Sequence, residues 1–200
     1  MKQISTVENE SLPRKINFGC GTNFLTGYLN LDANINHTKN CDGFHVYEGE
    51  LLNPQLLPND HFEHIKAQMV LEHIHPDIIP TVIYTMSCLL IDGGTVEVTV
   101  PDFEFFMRNI PKGPFDIQKL VFMREATFQL LDPVFKSDYS NTHRGHSSLW
   151  TLELAKFWFE SEGFSVKKKR SERKIPVLEF VATKTNSFSV AKGLISEGGE

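Results

Sequence analysis

The sequence predicts an α/β domain with a mostly parallel sheet and helices on both faces. Short apolar runs of strand length alternate along the chain with longer segments whose apolar residues recur at helical spacing. Strands separated by crossover segments pair in parallel, and the crossovers pack on the sheet. In such sheets ligands bind at the carboxyl ends of the strands. The loops that follow the strands are therefore the first places to look for functional residues.

Length and composition fit a soluble globular protein. The chain has 200 residues, 40% hydrophobic and 22% charged, and a net charge of −5, which disfavours a general nucleic-acid binder. No apolar run approaches the ~20 residues of a membrane span. The N-terminal stretch Met1–Leu12 lacks the apolar region of a secretory signal. Cys20, Cys41 and Cys88 show neither a disulfide framework nor zinc spacing, so a cytoplasmic location is expected.

We expect one domain over residues 1–200, with a core from about 14 to 184. The polar tails 1–13 and 185–200 are expected to be poorly ordered. Five strands are predicted in the first half of the core, at residues 15–18, 28–32, 44–47, 64–70 and 95–100. Before the last strand, an apolar stripe through residues 79–90 predicts a helix that Asp92-Gly93-Gly94 stops.

The second half of the core starts with residues 101–150, an insertion of mixed character. Within it, Asp116 is a candidate cap for a helix to about Leu131. Thr151 then caps a helix that ends at Glu162-Gly163. A terminal hairpin follows, with strands at residues 164–169 and 177–183.

The turn after the first strand contains Gly19, Cys20 and Gly21, where two glycines allow positive φ and the close approach of a ligand. A simple tight turn is the alternative. A dinucleotide fingerprint needs a third glycine where Phe24 stands, and its acid lies about twenty residues on. Asp32 follows Gly19 by only 13 residues. The spacing therefore argues against NAD.

Acidic residues follow the next two strands. Asp32 ends the second strand, where a carboxylate can accept both ribose hydroxyls of an adenosine or simply form a turn. Glu48–Leu51 follows the third strand and could meet an adenine amine, or form a solvated loop. After the fourth strand, His73 and His75 lack the spacing of a metal site, which favours a structural His73.

Six short motifs, in their order and spacing, resemble the small class I S-adenosylmethionine-dependent methyltransferases. They stand at Gly19–Thr22, Gly27–Asp32, Leu57-Pro58, Val70–Ile74, Gly93-Gly94 and Val100–Glu104. The resemblance covers about 170 residues. It implies a Rossmann-like sheet of seven strands with an antiparallel terminal hairpin, S-adenosylmethionine as cofactor and S-adenosylhomocysteine as product.

The resemblance also implies a cofactor site. Gly19, Cys20 and Gly21 would lie against the amino-acid end of the cofactor, and Asp32 would hold the ribose. Glu50 would take the adenine amine, Leu51 would offer a backbone N–H, and Gln68 and Met69 would line the end of the fourth strand. Two positions depart from the family pattern: Asn23 replaces a glycine, and Glu50 replaces an aspartate.

Acceptor-side groups are expected from the loop after the fifth strand and from the insertion. In-line methyl transfer needs a base only where the nucleophile must lose a proton, so no universal signature exists. Asp102, His143 and His146 are the candidates. For Asp102 a helix cap is the alternative, and for the two histidines a polar surface loop.

We expect a methyltransferase that acts on an unidentified acceptor, with a small molecule favoured, no membrane partner and nucleic acid disfavoured. A homodimer is left open. The basic cluster Lys167–Arg170 could touch phosphate, although a solvated hairpin is favoured. Two other functions remain: a non-catalytic interaction or regulatory module on a cofactor fold, and, less favoured, an enzyme dependent on NAD or another nucleotide.

Overall fold

The computed structural model describes residues 12–33, 45–48, 57–108, 147–171 and 176–185. These residues contain seven strands and three α-helices. The strands are β1 (Lys15–Phe18), β2 (Leu29–Asp32), β3 (His45–Glu48), β4 (Phe62–Gln68), β5 (Leu90–Pro101), β6 (Phe164–Lys168) and β7 (Val177–Lys184). The helices are α1 (Ile79–Leu89), α2 (Phe103–Arg108) and α3 (Leu152–Ser161), and two short 3₁₀ turns, Leu71–His73 and Pro76–Ile78, lie between β4 and α1.

All seven strands form one sheet of order β3-β2-β1-β4-β5-β7-β6. The first five strands are parallel, whereas β7 runs antiparallel to both of its neighbours, β5 and β6. The predicted mostly parallel, seven-stranded sheet with a reversed terminal hairpin is therefore confirmed. The carboxyl ends of β1, β2 and β4 meet at one edge of this sheet.

The two faces of the sheet differ in polarity because side chains alternate along each strand. One face carries the buried apolar residues Ile16, Phe18, Leu29, Leu31, Ile65, Ala67, Val96, Val98, Phe180 and Ala182. Helix α3 packs on this face, where the Phe159 ring meets those of Phe164 and Phe180 edge to face. Helix α1 contacts α3 and belongs to the same core.

The opposite face is polar. Along one row of the sheet, Asn17 pairs with Lys66 and Lys66 pairs with Glu97. Lys169 Nζ lies 3.3 Å from Glu97 Oε2 on this side. Partial burial lowers the pKa of His64, which stands one row away, and the nearby Glu97 opposes that shift. Among the described residues, both long helices thus lie on the apolar face.

The junction of α1 and β5 corrects one boundary. The helix ends at Leu89 and the strand begins at Leu90, so Asp92-Gly93-Gly94 lies inside β5 and does not separate the two elements. Strand β5 starts earlier than predicted because its first residues pair with the start of β4. The His61 amide, just before β4, donates to the Leu89 carbonyl at 3.1 Å. A register shift between Phe62 and His64 takes up the extra residues as a bulge.

The other boundaries agree with the sequence to within two residues. Thr151 caps α3 as predicted, its Oγ1 accepting from the Leu154 amide at 3.1 Å. The predicted helix from Asp116 to Leu131 lies outside the described residues, as do the tail residues 1–11 and 186–200. In the described part of the chain, no helix is long and apolar enough to cross a bilayer.

Candidate functional site

The turn after β1 contains two glycines with positive φ whose surroundings differ. Gly19 and Gly21 both have positive φ, +62° and +52°. A Cβ on Gly19 would lie 2.2 Å from Val70 Cγ2, so the chain that follows β4 packs directly on this residue. A Cβ on Gly21 would meet nothing within 4 Å. Gly19 therefore joins two segments of the protein, whereas Gly21 borders open space.

Asp32, at the end of β2, lies beside this turn. Its Oδ2 accepts a hydrogen bond from the Gly21 amide at 2.8 Å, and the Cys20 amide donates to the Leu31 carbonyl at 3.1 Å. The structure thus brings together the glycine turn and the acid that the family resemblance implies as two parts of one cofactor site. Cys20 is buried and forms no disulfide with another described residue, and its Sγ lies 3.6 Å from the Gly21 carbonyl oxygen.

A buried amide pair supports the short connection from β1 to β2. Asn17 Nδ2 donates to Asn30 Oδ1 at 2.9 Å, and Asn30 Oδ1 also accepts from the Leu25 amide at 2.9 Å. Asn17 Nδ2 reaches the Asn23 carbonyl as well, at 2.8 Å. These bonds fix the loop without a crossover helix. Sequence reasoning missed the pair, although an asparagine inside each of two adjacent strands was a signal.

The end of β4 forms the third part of the site. The backbone of Met69 has φ +53°, which turns the chain away from the sheet just after Gln68. The Met69 amide donates to the Thr99 carbonyl at 2.8 Å, so the turn stays attached to β5. The Met69 side chain is 37% exposed. Gln68 and Met69 therefore lie at the predicted edge, next to the segment that packs on Gly19.

Glu72 follows in the 3₁₀ turn and is fully buried. Its carbonyl oxygen accepts from the amides of Ser147 and Ser148, at 2.7 and 3.0 Å. Among the described residues, neither carboxyl oxygen has a hydrogen-bond partner outside Glu72 itself. Burial raises the pKa of this carboxyl to about 7. Glu72 is not among the site residues predicted from the sequence, although an acid within the apolar run Val70–Ile74 was a signal.

Asp102 begins α2. Its Oδ1 accepts from the Phe105 amide at 3.0 Å, which is the helix-capping geometry that the sequence left as an alternative. Its own amide donates to the Pro176 carbonyl at 3.1 Å. A catalytic role for Asp102 stays a prediction. The capping bond uses one of the two carboxyl oxygens, and a carboxylate can accept further bonds.

The remaining predicted site residues, Glu50, Leu51, His143 and His146, lie outside the described residues. Ser147, which follows His146 in the sequence, is described, and its amide donates to the Glu72 carbonyl. In the described ranges, no group of three or more metal-ligating side chains comes together. Among the described residues, the candidate site therefore consists of the glycine turn, Asp32, the end of β4 and the turn that contains Glu72.

Solved structures share this architecture. An S-adenosylmethionine-dependent methyltransferase from Methanosarcina mazei superposes with a TM-score of 0.58 at 12% identity, over 86% of this chain and 92% of the other. The 1,6-didemethyltoxoflavin-N1-methyltransferase of Burkholderia thailandensis, solved with its substrate and S-adenosylhomocysteine, gives 0.55 at 14% identity, over 86% and 71%. The chain has the class I methyltransferase fold.

A third solved structure, a possible exported protein from Bordetella parapertussis, superposes with a TM-score of 0.54 at 11% identity over 88% of this chain. The match covers 65% of that longer chain. Neither a protein-family model nor a curated protein matches the sequence significantly. At these identities the comparisons show the fold, which confirms the predicted sheet, while acceptor and site residues have to be argued from this chain.

Proposed function

We propose that the protein is an S-adenosylmethionine-dependent methyltransferase that acts on a small molecule. The observation that carries the proposal is the open glycine turn next to Asp32, at the carboxyl edge of a class I methyltransferase sheet. This edge is where open α/β sheets bind ligands. The solved neighbour that binds 1,6-didemethyltoxoflavin supports a small acceptor. A cytoplasmic location is part of the proposal.

The described residues fit this cofactor. When bound, S-adenosylmethionine supplies a methyl group on a sulfonium sulfur, which is a good leaving group. The lack of a side chain at Gly21 lets a ligand approach the backbone. The Asp32 carboxylate can accept several hydrogen bonds, one of which comes from the Gly21 amide, and two ribose hydroxyls are suitable further donors.

The other predicted residues complete the proposal. Gln68 and Met69 lie at the same edge and would line the methyl-transfer end of the site. Glu50 and Leu51 are proposed to contact the adenine. His143 and His146 are proposed to orient the acceptor, since they precede Ser147, which is attached to the turn after β4. Asp102 stands at the carboxyl end of β5 and is proposed on the acceptor side.

Calorimetric titration with S-adenosylhomocysteine tests the proposal. We expect the wild-type protein to bind with a Kd below ~100 µM. Asp32→Ala should weaken binding at least about tenfold, because the ribose loses a charge-assisted acceptor. Asp92→Ala is the matched control, since Asp92 is an exposed carboxylate at the amino-terminal end of β5, away from the glycine turn.

Two results would reject this function. An absence of binding heat at about millimolar ligand would favour a non-catalytic interaction module, and equal losses in the two variants would remove Asp32 from the site. Where binding is confirmed, the acceptor class follows from incubating the protein with labelled S-adenosylmethionine and fractions of small amines, sugars, lipids and proteins. Label in a macromolecular fraction alone would contradict a small-molecule acceptor.

A further inference from the structure

The carboxyl of Glu72 has no structural explanation among the contacts of the fold. Glu72 is the one fully buried acidic side chain among the described residues. In the part of the chain that the structure describes, both of its carboxyl oxygens are shielded from solvent, and neither has a hydrogen-bond partner in another residue. Buried polar groups in native proteins are nearly always paired, and each exception calls for an explanation, of which a catalytic role is one. If this side chain only filled space, a leucine or methionine at position 72 would give a more stable fold.

The backbone that carries this carboxyl is held rigidly. The Glu72 carbonyl takes two amide donors, from Ser147 and Ser148. The Ser148 hydroxyl donates to the Leu71 carbonyl at 3.0 Å and accepts from Trp150 Nε1 at 2.9 Å. Fixed backbone around an unpaired side chain is the arrangement expected of a group that is kept ready for a ligand.

The same turn lies at the proposed cofactor site. Val70, two residues before Glu72, packs on Gly19 so closely that a Cβ there would overlap it. Met69 and Gln68 precede it at the end of β4. The Phe103 amide donates to the Trp150 carbonyl at 3.1 Å, which attaches the start of α2 to the same segment. The turn thus stands where the chain segments that follow β1, β4 and β5 meet.

We infer that Glu72 is the proton acceptor for a nucleophile that carries a proton, such as an amine or a hydroxyl. This inference rests on the proposed function. The acceptor's lone pair forms a bond to the methyl carbon while the carbon–sulfur bond breaks and its electron pair stays on sulfur. The proton of the acceptor N–H or O–H moves to the Glu72 carboxylate, which becomes a neutral carboxyl and later releases that proton to water.

The electrostatics of the turn agree with this role. A general base works best with a pKa close to the working pH, and burial brings the pKa of Glu72 to about 7. Loss of water on burial raises this pKa, and a backbone hydrogen bond of Glu72 itself partly opposes the shift. Near neutral pH a large share of the molecules would carry the unpaired carboxylate, which gains a partner when a protic acceptor binds.

The experiment compares Glu72→Gln with Glu63→Gln. Gln keeps the size of the side chain but cannot take up the proton. Glu63 is the control because it is a half-exposed glutamate at the opposite end of β4, paired with Arg14 at 3.2 Å. Carbon-13 NMR of protein labelled at the glutamate carboxyls gives the first readout, with and without S-adenosylhomocysteine. We expect one carboxyl that titrates near neutral pH and is missing in Glu72→Gln.

Labelled S-adenosylmethionine with a panel of primary amines, phenols and one thioether gives the second readout. For amines and phenols we expect Glu72→Gln to lose about 100-fold or more in kcat, because positioned proton transfer contributes about that much. The thioether carries no proton, so its methylation should change little. Glu63→Gln should behave as wild type with every acceptor, and both variants should bind S-adenosylhomocysteine as wild type does.

The outcomes separate the two proposals. A wild-type protein that does not bind S-adenosylhomocysteine or transfer methyl groups rejects the proposed function and this inference together. Normal binding and transfer by Glu72→Gln rejects this inference alone, as does a Glu72 carboxyl that titrates near pH 4 like a solvated one. If Glu72→Gln is too unstable to purify, Glu72→Asp provides the comparison, and a pH–rate profile shifted from that of wild type is the supporting result.

Discussion

Two acids lie at the same edge of the sheet, Asp32 after β2 and Glu72 after β4, and their surroundings are opposite. Asp32 is partly exposed and its carboxylate accepts a hydrogen bond from the Gly21 amide. Glu72 is fully buried, and no other described residue forms a hydrogen bond with its carboxyl. Gly19 connects the two regions. It begins the turn in which the Gly21 amide donates to Asp32, and it packs against Val70, which lies in the segment that contains Glu72.

The difference shows that location at a ligand-binding edge does not decide what a carboxyl can do. A partly exposed carboxylate with an amide donor suits an acid that accepts hydrogen bonds from a sugar. Burial favours the neutral form of Glu72, which suits an acid that gains and loses a proton. The contrast supports the two proposed roles, binding for Asp32 and proton transfer for Glu72, and three changes test it.

The largest effect is expected where the two regions touch. Gly19→Ala should lower the free energy of unfolding by about 3 kcal/mol, since it adds an overlap with Val70 to a strained positive φ. Gly21→Ala is the matched control, with similar φ and open space, and should cost only about 1 kcal/mol. Urea denaturation measures both, and equal losses would contradict the contact between the two turns.

The next effect concerns the pH dependence of stability. The pKa of Glu72 is raised from 4.5 in the unfolded chain to about 7 in the folded protein, so the folded state binds the proton more tightly. Its stabilising contribution is complete below about pH 4.5 and is lost as the pH rises through about 7. The total change corresponds to about 3 kcal/mol at most, and to less where the turn relaxes.

Denaturation at pH 5 and pH 8 measures this change. Wild type should lose stability between the two values relative to Glu72→Gln, which has no proton to lose there. Glu63→Gln should follow the wild-type curve in this range. Parallel curves for wild type and Glu72→Gln would show that Glu72 titrates normally.

The smallest effect is expected at Asp32. Asp32→Asn keeps an acceptor for the Gly21 amide but removes the charge, so the free energy of unfolding should fall by only about 1 kcal/mol. The loss in affinity for S-adenosylhomocysteine should exceed the loss in stability, which thermal denaturation with and without the ligand reveals. A large loss of stability with unchanged affinity would make Asp32 a structural residue and would cancel its contrast with Glu72.

Patterns in the sequence predict most of the strands and helices that the structure describes, and they indicate that the glycine turn and Asp32 lie at one edge of the sheet. Alternation in Thr95–Val100, the apolar stripe of α1 and the Thr151 cap are local patterns, and local patterns survive folding because each reflects the period of its own element. The proximity of the glycine turn and Asp32 was also predictable, from the position of each at the end of a strand. Both residues follow directly from strand ends that parallel pairing brings side by side.

Features that depend on contacts between residues far apart in the sequence became visible only in the folded protein. The early start of β5 comes from pairing with residues 61 and 62, and the buried Asn17–Asn30 pair from the contact of two strands. Glu72 is the clearest case, because the sequence Val70–Ile74 alone does not show whether its glutamate is exposed to solvent or buried. Its burial is a property of the whole packed edge, and a pKa is set by surrounding atoms rather than by neighbours in the chain.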